Sequence, residues 1–189
     1  HNFGLGYVAN IGPFNAKLLW GTASLQPTGR QLYGGRSNTD ALSSLLPEKS
    51  RTFELYLDFT LAQWRIALNP YYTSIDNVIR ELTTGPVNSG SSQTIGVDFY
   101  LNGLTRVARF GELNTWLIYS YVFAKEDQFD RYDFKTGTRP VGDIAPHKVV
   151  FGATARFWNR RLVSTLRGRF IAARPVAAGN PIGWKLEDD

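Results

Sequence analysis

From Arg51 to Leu61 the chain alternates strictly. Phe53, Leu55, Leu57, Phe59 and Leu61 interleave with Thr52, Glu54, Tyr56, Asp58 and Thr60. A period of two puts the five apolar side chains on one face of a strand. Wound into a helix, the same residues would scatter apolar and acidic groups all round the cylinder. After Ala62-Gln63 the pattern resumes over Trp64 to Val78, with Trp64, Ile66, Leu68 and Tyr72 opposite Arg65, Asn69, Tyr71 and Thr73. A two-residue connection between alternating runs predicts a hairpin. Further alternating runs span Gln93–Leu104, Glu112–Lys125, His147–Trp158 and Arg161–Ala172, and two earlier strands are expected at Phe3–Ala9 and Phe14–Ala23. The chain therefore reads as all-β, with about eight antiparallel strands in up-and-down order.

The connections alternate in length. Those at 10–13, 62–63, 105–111 and 159–160 are short; those at 24–50, 79–92 and 126–146 are long, and the tail 173–189 resembles another long one. Strands of about 8–14 residues exceed the usual five or six but suit a tilted strand crossing a bilayer. Short turns on one side and long loops on the other are the habit of outer-membrane barrels. No run of about 18 apolar residues predicts a membrane helix.

The two faces differ in chemistry. One carries Leu, Phe, Val and Ile, with Trp20, Trp64, Tyr72, Tyr119, Tyr121, Phe157 and Trp158 near strand ends as candidate interfacial girdles. The other carries Glu54, Asp58, Arg65, Asn69, Asp98, Asn102, Arg156, Arg167 and Arg169. Such groups are costly in a dry core and cheap against water, so the polar face predicts a wide, wet lumen. A narrow barrel of eight strands is filled by its own side chains.

Composition narrows the chemistry. The 189 residues include no Cys, so thiolate metal sites, disulfides and cysteine nucleophiles are excluded. With 43% hydrophobic and 14% aromatic residues the chain is not a disordered segment. The net charge is +5, with 15 Arg against 6 Lys, but the cations are dispersed and form no nucleic-acid-binding run. No phosphate loop, dinucleotide motif or zincin motif occurs, and the histidines are His1 and His147. No enzyme activity, resident metal or cofactor is expected. The carboxylate pairs Glu126-Asp127 and Asp130-Asp133 are candidate cation ligands, with solvated loop charge as the plainer reading.

Several motifs occur in a telling order. Leu46-Pro47-Glu48-Lys49-Ser50 precedes Phe53-Glu54-Leu55, and Tyr71-Tyr72 precedes Ile75-Asp76 and Ile79. Gly21-Thr22-Ala23-Ser24-Leu25-Gln26-Pro27 leads to Gln31-Leu32-Tyr33. Later come Gly96-Val97-Asp98, Tyr119-Ser120-Tyr121 with Ala124, and Pro146-His147. Over residues 3 to 172 the chain resembles the C-terminal barrel region of TonB-dependent outer-membrane receptors. It departs from that family's pattern at Leu25-Gln26, where an aromatic–arginine pair is usual, and at Asp98, where Glu is usual.

The resemblance implies about eight strands of a barrel of 22, located in the outer membrane of a Gram-negative bacterium. Residues 1–189 would form a partial barrel domain with no plug domain. It implies uptake of a bulky scarce nutrient such as a ferric siderophore, haem or cobalamin. Partners would be outer-membrane lipid and lipopolysaccharide, the remaining strands and plug from the same or another chain, and a periplasmic TonB-type protein reached through the plug. Arg30, Tyr33, Arg36, Arg131, Tyr132 and Arg139, in the long loops, are the candidate contacts to an anionic aromatic ligand. The alternative is a structural barrel fragment or split subunit without transport activity of its own.

Overall fold

The computed structural model describes residues 2–33, 45–82, 85–107, 111–129, 135–158, 161–175 and 185–186. The long strands are β1 (Phe3–Ile11), β2 (Phe14–Leu25), β3 (Glu48–Leu61) and β4 (Trp64–Asp76). A short hairpin, β5 (Ile79–Leu82) and β6 (Gly85–Asn88), precedes β7 (Ser91–Val107) and β8 (Gly111–Phe129). Then come β9 (Lys135–Pro140), β10 (His147–Phe157), β11 (Leu162–Ile171) and the paired fragments β12 (Arg174–Pro175) and β13 (Lys185–Leu186). A short helix, α1, spans Gly29–Tyr33.

One antiparallel sheet runs in the order β1-β2-β3-β4-β7-β8-β10-β11, with β9 added beside the C-terminal part of β8. Along the main path each strand pairs with its neighbour without a register shift, so side-chain parity carries from strand to strand. Among the described residues β1 pairs only with β2 and β11 only with β10, and the sheet does not close on itself.

The eight expected strands are present, and several run further. β3 starts at Glu48, β7 reaches Val107 and β8 reaches Phe129. The stretch 79–92, read as a loop, contains β5 and β6, and 126–146 contains β9. Their sequences, Ile-Arg-Glu-Leu and Lys-Thr-Gly-Thr-Arg-Pro, are too short to show a period. β4 stops two residues early because Asn77 takes a φ of 59°, and Trp158, a proposed girdle residue, lies in a turn at φ 46°.

Among the described residues the sheet has no packed core. The buried apolar residues among those described are alanines: Ala67, Ala124 and Ala145. Large side chains such as Phe53, Phe59, Trp64, Ile95 and Phe123 stand exposed on one face. So large an apolar surface is not left in water by a soluble protein. Register aligns this face in rows, one reading Leu5–Trp20–Phe53–Tyr72–Ile95–Phe123 across six strands. Glycines let aromatics lie flat across the neighbouring strand. Trp64 covers Gly103 and Phe151 covers Gly168 on the apolar face, while Tyr71 covers Gly96 and Trp116 covers Gly152 on the other.

Candidate functional site

The polar face is one continuous surface. A row across it reads Asn10–Asn15–Asp58–Ala67–Tyr100–Ile118–Val150–Arg169. Parity places Glu54, Asp58, Arg65, Asn69, Asp98, Asn102, Arg156, Arg167 and Arg169 all on this face, as the alternation predicts.

Its acidic side lies on β3, β4 and β7. Asp58 is 4% exposed and is the centre of a small network. Arg65 Nε donates to Asp58 Oδ2 at 2.6 Å, and the Tyr56 hydroxyl donates to the same oxygen at 2.9 Å. Arg65 Nη2 also reaches the Tyr56 oxygen at 3.1 Å, closing a triangle across the β3–β4 hairpin. The small side chain of Ala67 opposite Asp58 leaves room for it. Further along, Asn69 donates to Glu54 at 3.0 Å, while Asn69 Oδ1 is buried without a partner. A hollow of about 350 Å3, lined by Tyr56, Arg65, Asn69, Asp98 and Tyr100 among others, opens on this patch.

The basic side lies on β10 and β11. Lys148, Arg169, Arg167 and Arg156 follow one another down the two strands, separated by Gly152, Thr154 and Thr165. Among the described residues these four cations have no ion-pair partner.

Beyond the ends of the long strands, the loop segments form a collar. Arg80 of β5 and Arg139 of β9 converge on Glu126 of β8, at 2.5 Å and 2.7 Å. Arg80 also donates to the Asp127 carbonyl at 3.4 Å. The Asp127 carboxylate turns the other way, is 5% exposed, and accepts from the Ser91 amide at 2.7 Å and hydroxyl at 3.1 Å. On the other side of the collar, Glu48 accepts the Ile79 amide at 2.7 Å, and Asn77 donates to the Pro47 carbonyl at 3.3 Å. Asn88 binds both backbone groups of Leu46, accepting at 2.7 Å and donating at 2.9 Å. Glu48 and Asn77 thus clamp the Leu-Pro-Glu segment to the chain leaving β4. Helix α1 starts at a capping box: Thr28 Oγ1 accepts from the Gln31 amide and Gln31 Oε1 accepts from the Thr28 amide.

The candidate ligand contacts fall only in part within the described residues. Arg30 lies exposed on α1 and Tyr33 ends that helix. Arg139 is engaged by Glu126. Arg36, Arg131 and Tyr132 lie outside the described residues. Glu126 and Asp127, read as a candidate cation pair, point to different partners within the protein. Asp130 and Asp133 lie outside the described residues. Sequence reasoning missed Arg80, whose flanking segment has no period to place it.

A family model described as "TonB dependent receptor-like, beta-barrel" matches residues 1–183. Two solved structures superpose over nearly the whole chain. The "Copper transporter OprC" gives a TM-score of 0.70 at 15% identity, covering 98% of this chain and 29% of that one. "The FrpB iron transporter from Neisseria meningitidis (F3-3 variant)" gives 0.73 at 15% identity, covering 100% and 30%. The chain thus spans under a third of either protein, and at this identity the likeness is one of fold. Curated proteins yield no match. With the matched barrel model, the two-faced antiparallel sheet and the shared fold in hand, the chain belongs to the TonB-dependent receptor family, as a section of its β-barrel.

Proposed function

We propose that residues 1–189 are part of the wall of an outer-membrane transporter that imports a bulky, scarce nutrient such as a ferric siderophore, haem or cobalamin. The observation that carries this is the pairing of a face with a broad apolar band and an ionised face on one sheet that stays open among the described residues. In a bilayer, edges β1 and β11 need strands from the rest of the protein, since hydrocarbon leaves no water to satisfy them. A barrel wide enough to keep Glu54, Arg65, Arg167 and Arg169 hydrated has room for a plug. On this reading the wall does no bond chemistry. Its loops meet the solute and its lumen face holds the plug, whose movement is driven through a periplasmic TonB-type protein.

The copper and iron named for the two structural neighbours support a metal-bearing cargo. Loop arginines such as Arg30, with Tyr33, Arg36, Arg131, Tyr132 and Arg139, would supply charge and stacking to an anionic chelate. Cells in which the intact protein is the sole importer of its type are tested with radiolabelled ferric siderophore, haem and cobalamin. Uptake of one of them that stops when the proton gradient is dissipated is the expected result. A protein that reaches the outer membrane and supports none of the three would favour the structural-subunit alternative.

A further inference from the structure

We infer that the polar face carries a stacking station for a pyranose ring bearing a carboxylate, built on Trp116 and Arg167. The inference rests on the membrane reading above for its place on an import path, and it adds a solute class that the reading does not contain.

The platform follows from one glycine. Gly152 is buried, is the middle residue of β10, and pairs with Trp116 of β8 on one side and Arg167 of β11 on the other. The indole fills the space that a side chain at 152 would take. Its Cε2 and Cζ2 lie 2.7 Å, and its Nε1 2.9 Å, from where a Cβ would stand. Three neighbouring ring atoms at nearly equal distance mean that the ring lies flat on the backbone. One indole face is thus spent on the sheet, and the other is turned away from it, towards the lumen. Among the described residues Nε1 has no hydrogen-bond partner and is not buried. That N–H is available to a ligand lying on the ring.

The surroundings set the chemistry. Asn102 pairs with Trp116 across β7 and β8, and Asn114 stands two residues along β8 on the same face. Asn102 Nδ2 donates to Asn114 Oδ1 at 3.4 Å, which leaves the Asn102 carbonyl to accept and the Asn114 amino group to donate. Thr154, the register partner of Asn114, shares one hydrogen bond of 3.2 Å with Thr165. Both hydroxyls keep capacity for a second. Beyond Gly152, Arg167 is exposed and has no ion-pair partner among the described residues. The nearest carboxylate along this face of β8 is Glu112, four residues from Trp116 and facing Arg106 at 4.0 Å.

A ring resting on Trp116 therefore meets neutral donors and acceptors along one side and a guanidinium on the other. A planar aromatic acid fits the indole but leaves the amides and hydroxyls without replacements for the water it displaces, which loses affinity. A ferric chelate has its hydroxyls committed to the metal. A pyranose has C–H faces to lay on the indole and hydroxyls round its rim for the two asparagines and two threonines. A carboxylate on that ring matches the fork of Arg167. The station lies halfway along β10, apart from the loop residues that were the candidate ligand contacts.

The test uses the intact protein, purified from its own outer membrane into detergent. Its recovery from that membrane as a heat-modifiable barrel is checked first, so failure of the membrane reading is seen separately. Saturation-transfer NMR shows which ring protons of trigalacturonate approach the protein, and a titration gives the affinity. The wild type is expected to bind trigalacturonate about tenfold more tightly than its methyl ester, which keeps the rings and loses the charge. Arg167→Gln should abolish that preference; the side chain is exposed, so this variant folds even where a Trp116 variant does not. Trp116→Ala should weaken both ligands about fivefold, and Trp116→Phe, which keeps a ring face, by less than about twofold. Lys17→Gln, on the same face of β2 but four strands away from β8, should leave binding unchanged and controls for net charge. No binding of trigalacturonate by the folded wild type, equal binding of acid and ester, or an undiminished preference in Arg167→Gln would overturn the proposal. So would tighter binding of salicylate than of trigalacturonate, which would make the station one for aromatic acids.

Discussion

Leu18 and Leu19 are adjacent, chemically identical, and on opposite faces of β2. Leu18 pairs with Leu55 in the apolar face and is 38% exposed. Leu19 pairs with Glu54 on one side and Gly6 on the other, on the polar face. Arginine at 18 must place a guanidinium one register step inside the aromatic row of Trp20 and Phe53, within the apolar band. Such a substitution costs about 2–4 kcal/mol at the midplane, and the short distance to the rim favours the low end. About 2 kcal/mol corresponds to roughly a thirtyfold drop in the folded-to-unfolded ratio. Arginine at 19 enters water beside the Glu54 carboxylate, and Gly6 leaves space for it. Its cost should stay within about 0.5 kcal/mol, as for most exposed substitutions. Urea titration of the intact barrel refolded into lipid vesicles, read by the loss of heat-modifiable migration, measures both. Equal destabilisation by the two arginines, or a larger loss at 19, would refute the assignment of faces and with it the membrane reading.

Gly152→Val should cost about 1–3 kcal/mol in the same assay, because the new side chain must displace the Trp116 indole that lies across it. Gly111→Ala should be as damaging for a different reason: φ is +138° and a Cβ there would run into the Arg156 carbonyl. Glu126→Gln leaves Arg80 and Arg139 without their shared carboxylate, and hydrogen exchange at amides 79–82 and 137–139 should quicken about tenfold while β3 and β4 stay protected. Protease added to intact cells should cut within 24–50, 79–92 or 126–146 and spare 62–63 and 159–160; the reverse pattern would turn the barrel over.

On the proposed membrane placement, the sheet was legible because its two solvents differ. Where one face meets hydrocarbon and the other water, a slip of one residue in β3 would put Glu54 and Asp58 in lipid, so the alternation has to be written into the sequence. The collar was not legible. Arg80 and Arg139 lie 46 and 13 residues from Glu126 and sit on the short strands β5 and β9, which leave no period to read. The motifs at Leu46-Pro47-Glu48 and at Ile75-Asp76 with Ile79 were visible as patterns, but their reason was not. Only the fold shows that Glu48 holds the Ile79 amide and that Asn77 holds the Pro47 carbonyl. The Gln31 position of the Gln-Leu-Tyr motif is likewise explained by the capping box with Thr28.

The way charge is used divides the candidate ligand contacts into two kinds. Arg139 can meet an anionic solute only by giving up Glu126, to which it is bonded through both Nε and Nη2. Each charge-assisted bond lost costs about 1.5–3 kcal/mol, so a solute that recruits Arg139 must replace a carboxylate that is already well placed. Releasing Arg139 would also leave Glu126 to Arg80 alone and loosen the hold of β9 on β8. Lys148, Arg167 and Arg169 have no ion-pair partner among the described residues, and Arg156 stands in register with Glu112 without bonding it. They are spread along two strands at alternate positions, which gives several weak stations in place of one deep trap. A passage that must release what it admits needs that arrangement, whereas a tight external capture site needs converging groups. On the proposed function, the β10–β11 stripe therefore suits the passing of an anionic solute or the cushioning of a mobile plug, and the collar arginines suit holding the loops in shape.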